Sequence, residues 1–375
     1  MKRFSSLHKF LVKQKSLVKQ KSLVKQKSLV KQKSLVEHKS LVEHKSLVEH
    51  KSLVKHKSLV EHKSLVKHKS LVERASRPLA IMNKPQYQPK NVLTCRARLG
   101  ESPVWDTTQK LLYWVDIYNY RVHQFNPATG QNSFFDVGDV VGCVALAGAN
   151  RLIMAQRDRL AFLNTQTGEI TPIIQVETDK PNNRFNDGKC DPQGRFWFGS
   201  MSQEKSQACL YRYDSDNSLH LMETGLTVSN GLGWSSNGRI FYLTDSDQQK
   251  IFAYDFDAQT GNISNRRVFV DLTHETFFPD GLTVDSEGYI WSAMWEGGCV
   301  IRFDTTGKEV LRIELPVKYP TNCTFVGEDL KSLYITTASV GISQAEIDKS
   351  VSSGDLFEVQ TDITGLPSYH FRSSI

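Results

Sequence analysis

Glu101, Asn186, Asn230 and Asp280 recur at one phase of a repeat that runs through most of this 375-residue chain. Each stands just before, or at the start of, an apolar strand-like run: GESPVW, FNDGKCD, SNGLGW and FPDGLTVD. In a repeat fold, equal phase means equal place on the structural unit. Units set around an axis would bring these oxygen-bearing side chains to one spot. Two carboxylates with amide oxygens form a hard donor set, which suits Ca2+, Mg2+ or Mn2+. Ca2+ is the ion expected first. Zn2+ fits less well, because its favoured His or Cys does not occur at these positions. Taken singly, Asn-Gly, Asn-Asp-Gly and Pro-Asp-Gly also read as turn tripeptides. Four in phase favour a site.

The elements that must position them are aromatic-rich strands, each following a turn: LLYWVD (111–116), GRFWFGS (194–200), GRIFYLTD (238–245), GYIWSAM (288–294) and SLYITTA (332–338), with RLIMAQ (151–156) in second place. Trp114, Leu152, Trp197, Tyr242, Trp291 and Tyr334 follow one another by 38, 45, 45, 49 and 43 residues. A further strand ending in an Asp/Asn/Gly turn follows each, which is antiparallel β. Six such units between about residues 98 and 370 predict an all-β, six-bladed β-propeller. A β-sandwich or paired barrels would not need so regular a spacing. Gly-His and Trp-Asp marks are missing, which argues against the WD type. The innermost strand of each blade would line a channel. Glu101, Asn186, Asn230 and Asp280 would sit in the loops entering those strands in units one, three, four and five. The equivalent positions in units two and six fall near Val141–Gly142 and Asn322.

Residues 1–81 are of another kind. From Ser16 a hexapeptide Ser-Leu-Val-Lys/Glu-Gln/His-Lys runs ten times. A period of six spreads the leucines over three helical stripes, and a strand reading gives no wide apolar face either. A disordered low-complexity tail is therefore expected. It holds 21 Lys+Arg against 5 Asp+Glu, leaving 26 basic and 35 acidic residues in 82–375. The overall +7 thus belongs to the tail, and the part expected to fold is acidic. A basic repeat would suit nucleic acid or an anionic membrane. The plainer reading is an expanded repeat or translated upstream sequence, with Met82 as a sensible start. Residues 82–375 suffice for one propeller domain.

Other chemistries find little support. The six cysteines are scattered without a C-x-x-C pair, which fits a reducing, cytoplasmic setting. The first residues lack a continuous apolar core for a signal peptide, and no run of about 18 apolar residues occurs. There is no G-x-S-x-G elbow and no phosphate loop or dinucleotide fingerprint. His123, His220, His274 and His370 form no ligand-spaced cluster and read as surface or core residues.

The stretches GESPVW, NNRFNDGK, VSNGLGW, TGNISNRR and FPDGL resemble the gluconolactonase family that includes the senescence marker protein, also called regucalcin, and the luciferin-regenerating enzyme. The resemblance covers roughly residues 95–370. It implies a six-bladed propeller with one divalent metal at the channel mouth, and hydrolysis of a sugar lactone such as a gluconolactone or pentonolactone. It implies Glu101, Asn230 and Asp280 as metal ligands, and Asn186 close to the metal, touching it directly or through water. Arg184 and Glu204 would bind substrate hydroxyls or the lactone ring. The hexapeptide tail departs from the family pattern, which starts near Met82.

Lactone hydrolysis needs a polarised carbonyl, a nucleophilic water and a proton acceptor. A dication polarises the carbonyl and acidifies water. Asp280 would be the catalytic base, although a dication weakens the basicity of its own ligand. Water acidified by the cation without help from Asp280 is the competing reading. For Arg184 the plain alternative is a salt bridge to Asp187, and for Glu204 a solvated loop acid. Asp187 itself reads as the turn-forming partner of Gly188. The expected partner is a small sugar lactone, with no nucleic acid and no membrane, on a monomer or weak homo-oligomer. Two other functions stay open: hydrolysis of a non-sugar ester or lactone, and a metal-binding regulatory propeller without catalysis.

Overall fold

The computed structural model describes residues 87–341 and 352–372. The expectations for residues 1–81 lie outside the described residues.

The described residues form 24 strands, β1–β24 in chain order, in six four-stranded antiparallel sheets, and include no α-helix. Each sheet is one blade of a six-bladed β-propeller. The innermost strands are β2 (Gly100–Asp106), β6 (Val141–Leu146), β10 (Asn183–Cys190), β14 (Ser229–Trp234), β18 (Phe278–Val284) and β22 (Pro320–Val326). The aromatic strands expected from the sequence are the second strands of the blades. LLYWVD and RLIMAQ match β3 (Leu111–Asp116) and β7 (Arg151–Gln156) residue for residue. The last blade was not fully legible. Its outermost strand is β1 (Lys90–Leu93), pairing with β24 (Leu356–Gln360), so the start of the propeller closes its end. A strand of only four residues, KNVL, is too short to show a period.

Burial follows position along the blade. Inner strands lie between neighbouring blades and are buried throughout, as in β2, β6, β14 and β22. Outermost strands such as β5 (Gln131–Asp136) are largely exposed. The repeat-marking aromatics of the second strands fill the wedges between blades. Trp197 of blade three packs on Trp234, Phe241 and Phe256 of blade four. Trp291 of blade five meets Phe325 of blade six edge-on at 5.7 Å. Each buried ring removes roughly 150–250 Å2 from water, so one large residue per unit at fixed spacing is what blade stacking requires.

Two of these tryptophans share a polar anchor. Trp197 Nε1 donates to Asp191 at 3.1 Å, and Trp291 Nε1 to Asp285 at 2.9 Å. Each carboxylate also accepts from an arginine, Arg195 or Arg302, so both buried charges are paired.

The C-terminal segment crosses the end of the channel where the inner strands finish. Gly365 bridges to Asp285, Phe371 N donates to Leu146 O at 2.6 Å, and Arg372 N to Gly194 O at 2.9 Å. Leu366, Pro367, Ser368 and Tyr369 thereby floor a small channel cavity of about 60 Å3 that also touches Asp187, Lys189 and Asn322.

Candidate metal and substrate site

The four phase-matched residues lie inside inner strands and not in the loops before them. Glu101 is the second residue of β2, Asn230 the second of β14, Asp280 the third of β18 and Asn186 the fourth of β10. The Asn-Gly and Asp-Gly pairs are therefore strand residues and not turns. All six inner strands break register at this phase: between Glu101 and Val104, Val141 and Cys143, Phe185 and Gly188, Asn230 and Leu232, Pro279 and Leu282, and Pro320 and Asn322. A bulge inserts an unpaired residue and re-aims its side chain. Repeated six times, it sets the residues of this phase at one common level of the inner strands.

The glycines after Asn230 and Asp280 serve close approach. A Cβ on Gly231 would lie 2.5 Å from Asp280 O of the next blade, and one on Gly281 would collide with the Asn322 side chain. Contact this tight joins neighbouring site residues. The Asn230 amide donates to Asp280 Oδ1, and at 3.0 Å to Ser246 Oγ. Asn186 Nδ2 donates to Ser229 O at 3.0 Å. Asn322 Nδ2 donates to Glu101 Oε2 at 3.0 Å and to Asp187 Oδ2 at 3.2 Å. Blade two supplies only Val141 and Gly142.

The electrostatics are those of buried acids that repel one another. Burial, followed by the charges of Glu101 and Asp187, pushes the Asp280 carboxyl well above the usual carboxylate range. Burial and then Asp187 raise Glu101 to about 8, against hydrogen bonds from Asn322 and the Ser102 amide and the charge of Arg184. Ion solvation has been removed and no full counter-charge put in its place. Among the described residues, no group of three His, Cys, Asp or Glu side chains forms a metal cage. The donors on offer are two carboxylates with the amides of Asn230 and Asn186. This buried, hard-oxygen set fits a divalent cation, whose charge would relieve the repulsion.

Asp187 corrects the sequence reading. It is not a turn residue but a buried acid of β10, set beside Asn186 on the axis by the bulge between Phe185 and Gly188. Its counter-charge is Lys189, partly buried, whose Nζ donates to Leu282 O at 2.9 Å. Only the strand period hinted at Lys189, two residues on from Asp187.

Among the described residues, Arg184 and Asp187 do not form an ion pair. Its Nη1 donates to Asn186 Oδ1 at 2.8 Å and to Phe185 O at 2.9 Å. Its guanidinium lies 5.6 Å over the ring of Tyr118, a mouth residue the sequence did not single out. Glu204 is apart from the ring, on an exposed loop, where Oε1 accepts from Asn182 Nδ2 at 2.9 Å.

Fold and site together define a six-bladed propeller with an acid-rich, amide-lined pocket in its channel. The pattern of the SMP-30/gluconolactonase/LRE-like region matches residues 99–339, and the chain belongs to that family. Regucalcin from Gallus gallus is 38% identical over 285 residues, which cover 74% of this chain and 95% of that protein. A pentonolactonase from Haloferax volcanii is 37% identical over 288 residues, 76% of this chain and 97% of that one. Among solved structures, a calcium-binding protein, regucalcin, from Agrobacterium tumefaciens superposes with a TM-score of 0.74 at 27% identity, covering 76% of this chain and 98% of that one.

Proposed function

We propose that this protein hydrolyses a sugar lactone to the aldonic acid, with a divalent cation held by Glu101, Asn230 and Asp280. The observation that carries this reading is the joining of Asn230 to Asp280 and of Asn322 to Glu101 in one buried ring whose carboxyls are short of positive charge. The relatives named as lactonases support the substrate class. The cation, when bound, polarises the lactone carbonyl and acidifies water.

The chain's own residues do the rest. Arg184, braced by Asn186 and the Tyr118 ring, points its remaining donors at substrate oxygens. Asn186 fixes the guanidinium and adds an amide to the pocket. Glu204, held by Asn182 on the segment before Arg184, would accept from substrate hydroxyls. Asp280 takes the proton from the attacking water and returns it to the leaving ring oxygen. The buried channel wall keeps bulk water from screening these contacts.

Ca2+ is our first choice of ion, with Mg2+, Mn2+ and Zn2+ as alternatives. Free cysteines at six positions support a reducing, cytoplasmic setting, and we assign a monomer or weak homo-oligomer without nucleic-acid or membrane partners. Among the described residues no helix is long and apolar enough to cross a membrane.

The test is a pH-stat panel of glucono-, galactono-, arabinono- and xylonolactones, run on chelated protein resupplied with each of the four cations. Opening of at least one lactone with a cation, and not without, is expected. Cation binding with no lactone opened would leave a regulatory binder instead. Opening of simple aryl esters alone would move the substrate class.

A further inference from the structure

A second cluster of ionisable groups stands in blade three, beside the loop that leads into Arg184. Glu177 occupies left-handed backbone with φ 58°. Its carboxylate, on a side chain only 3% exposed, accepts from Ser200 Oγ at 3.1 Å, Tyr211 OH at 2.9 Å, Lys180 Nζ at 3.1 Å and Asn183 Nδ2 at 2.9 Å. The same Lys180 Nζ lies 3.1 Å from Cys209 Sγ on β12 (Ala208–Tyr213). Lys180 is partly exposed and Cys209 retains 5% exposure, so the sulfur lies just beneath a solvent-facing amine. Lys180 Nζ thus sets a donor directly against this sulfur, at the distance a bond-forming approach needs. Burial pushes the thiols of Cys143 and Cys190 well above their ordinary value.

We propose that Lys180 and Cys209 form a reversible oxidative cross-link in response to hydrogen peroxide, tying the loop before Arg184 to β12. In the first step the Cys209 thiolate attacks one peroxide oxygen and the O–O bond breaks. Sulfur is oxidised by two electrons to the sulfenic acid, and the other oxygen leaves as water after taking up a proton. In the second step the Lys180 amine attacks that sulfur. The S–N bond forms, the S–O bond breaks, and the hydroxyl departs as water. The ammonium proton passes first to Glu177, 3.1 Å away, and the proton left on nitrogen beyond the one retained leaves with the hydroxyl. One peroxide is consumed, two waters are formed, and the bridge lacks the two hydrogens of the free pair. A preset contact of 3.1 Å gives this closure the advantage of an intramolecular reaction.

The bridge would hold the segment from Glu177 to Asn183 rigidly against blade three. That segment leads into Arg184, and its Asn182 carries the hydrogen bond to Glu204. The test does not depend on the activity. The full chain is treated with hydrogen peroxide, digested without reductant and analysed by mass spectrometry. A joined pair of peptides containing Lys180 and Cys209, lighter by two hydrogens than their sum and separated by dithiothreitol, is expected. Lys180→Arg keeps the positive charge and Cys209→Ala keeps a small apolar side chain. Both are expected to fold, checked by thermal unfolding, and to lose the joined pair. Cys209 passing to sulfinic or sulfonic acid with Lys180 unlinked, or remaining a free thiol in excess peroxide, would overturn the proposal.

Discussion

Asn322 of the sixth blade donates its side-chain amide to Glu101 of the first at 3.0 Å, across the seam where the propeller closes on itself. The same Nδ2 reaches Asp187 of the third blade at 3.2 Å, so one amide joins three blades. Ring closure and site assembly are therefore one structural event. The site should be sensitive to anything that loosens the seam.

Asn322→Ala removes the donor to two buried carboxyls at once. Leaving buried acceptors unpaired costs roughly 1–3 kcal/mol. The expected outcome is a lower unfolding midpoint together with weaker cation binding by calorimetry. Unchanged values of both would remove Asn322 from the site.

Asp280→Asn and Asp280→Ala separate ligation from proton transfer when metal content is measured beside rate. A positioned base contributes about two to four powers of ten in rate, so the Asn variant should lose rate on that scale even where it retains cation. The Ala variant should lose cation as well. Full occupancy with full activity in Asp280→Ala would refute both roles.

Arg184→Lys keeps the charge but not the fork that spans Asn186 and the Phe185 carbonyl. Loss of one charge-assisted hydrogen bond predicts a rise in KM of about tenfold, with cation affinity unchanged. Steady-state kinetics on the best lactone measures it.

His123 gives a pH signature away from the site. It is buried, stacked on Trp114 at 3.9 Å, and shares a hydrogen bond with Asn132 at 3.1 Å. Burial, against the charge of Asp116 and the Asn132 contact, lowers its pKa from 6.5 to about 4. The unfolded chain then binds the proton first as pH falls. Stability is full above pH 6.5, declines between 6.5 and about 4, and levels off below, by up to roughly 3 kcal/mol. His123→Phe should flatten that part of the stability–pH curve in denaturant titrations. An unaltered slope would place the titration elsewhere.

Gly231→Ala tests close approach between blades four and five. A methyl group 2.5 Å from Asp280 O must push the strands apart, at a cost of roughly 1–3 kcal/mol. Because Asn230 and Asp280 are the groups displaced, cation binding should fall with the unfolding midpoint. A stable variant with intact binding would show that the strands can yield.

Much of the fold was legible because its signals are local and repeated. Trp114, Trp197, Tyr242, Trp291 and Tyr334 mark one wedge per unit, and blade stacking is a contact between sequence neighbours. The equal phase of Glu101, Asn186, Asn230 and Asp280 followed from the same periodicity. In the sequence Asp187 reads as a turn residue because Asn-Asp-Gly is a turn tripeptide, and Lys189 does not stand out, since a regular strand would turn both away from the face of Asn186. The bulge that defeats this alternation leaves no mark in residue types. Tyr118 was missed because its ring is placed by a short 3-10 turn, Ile117–Asn119, with no motif of its own. The Lys180–Cys209 contact joins a loop to a strand 29 residues on, where no pattern pairs them.

By itself the sequence determined the number of units, the common phase of Glu101, Asn186, Asn230 and Asp280, and the oxygen character of those side chains. These follow from side-chain type and period, which act within one unit. The tertiary structure alone decided which acids share a field, which amide bridges them and how far burial raises their proton affinity. Those quantities depend on distances between units and on the exclusion of water, and neither exists until the ring has closed.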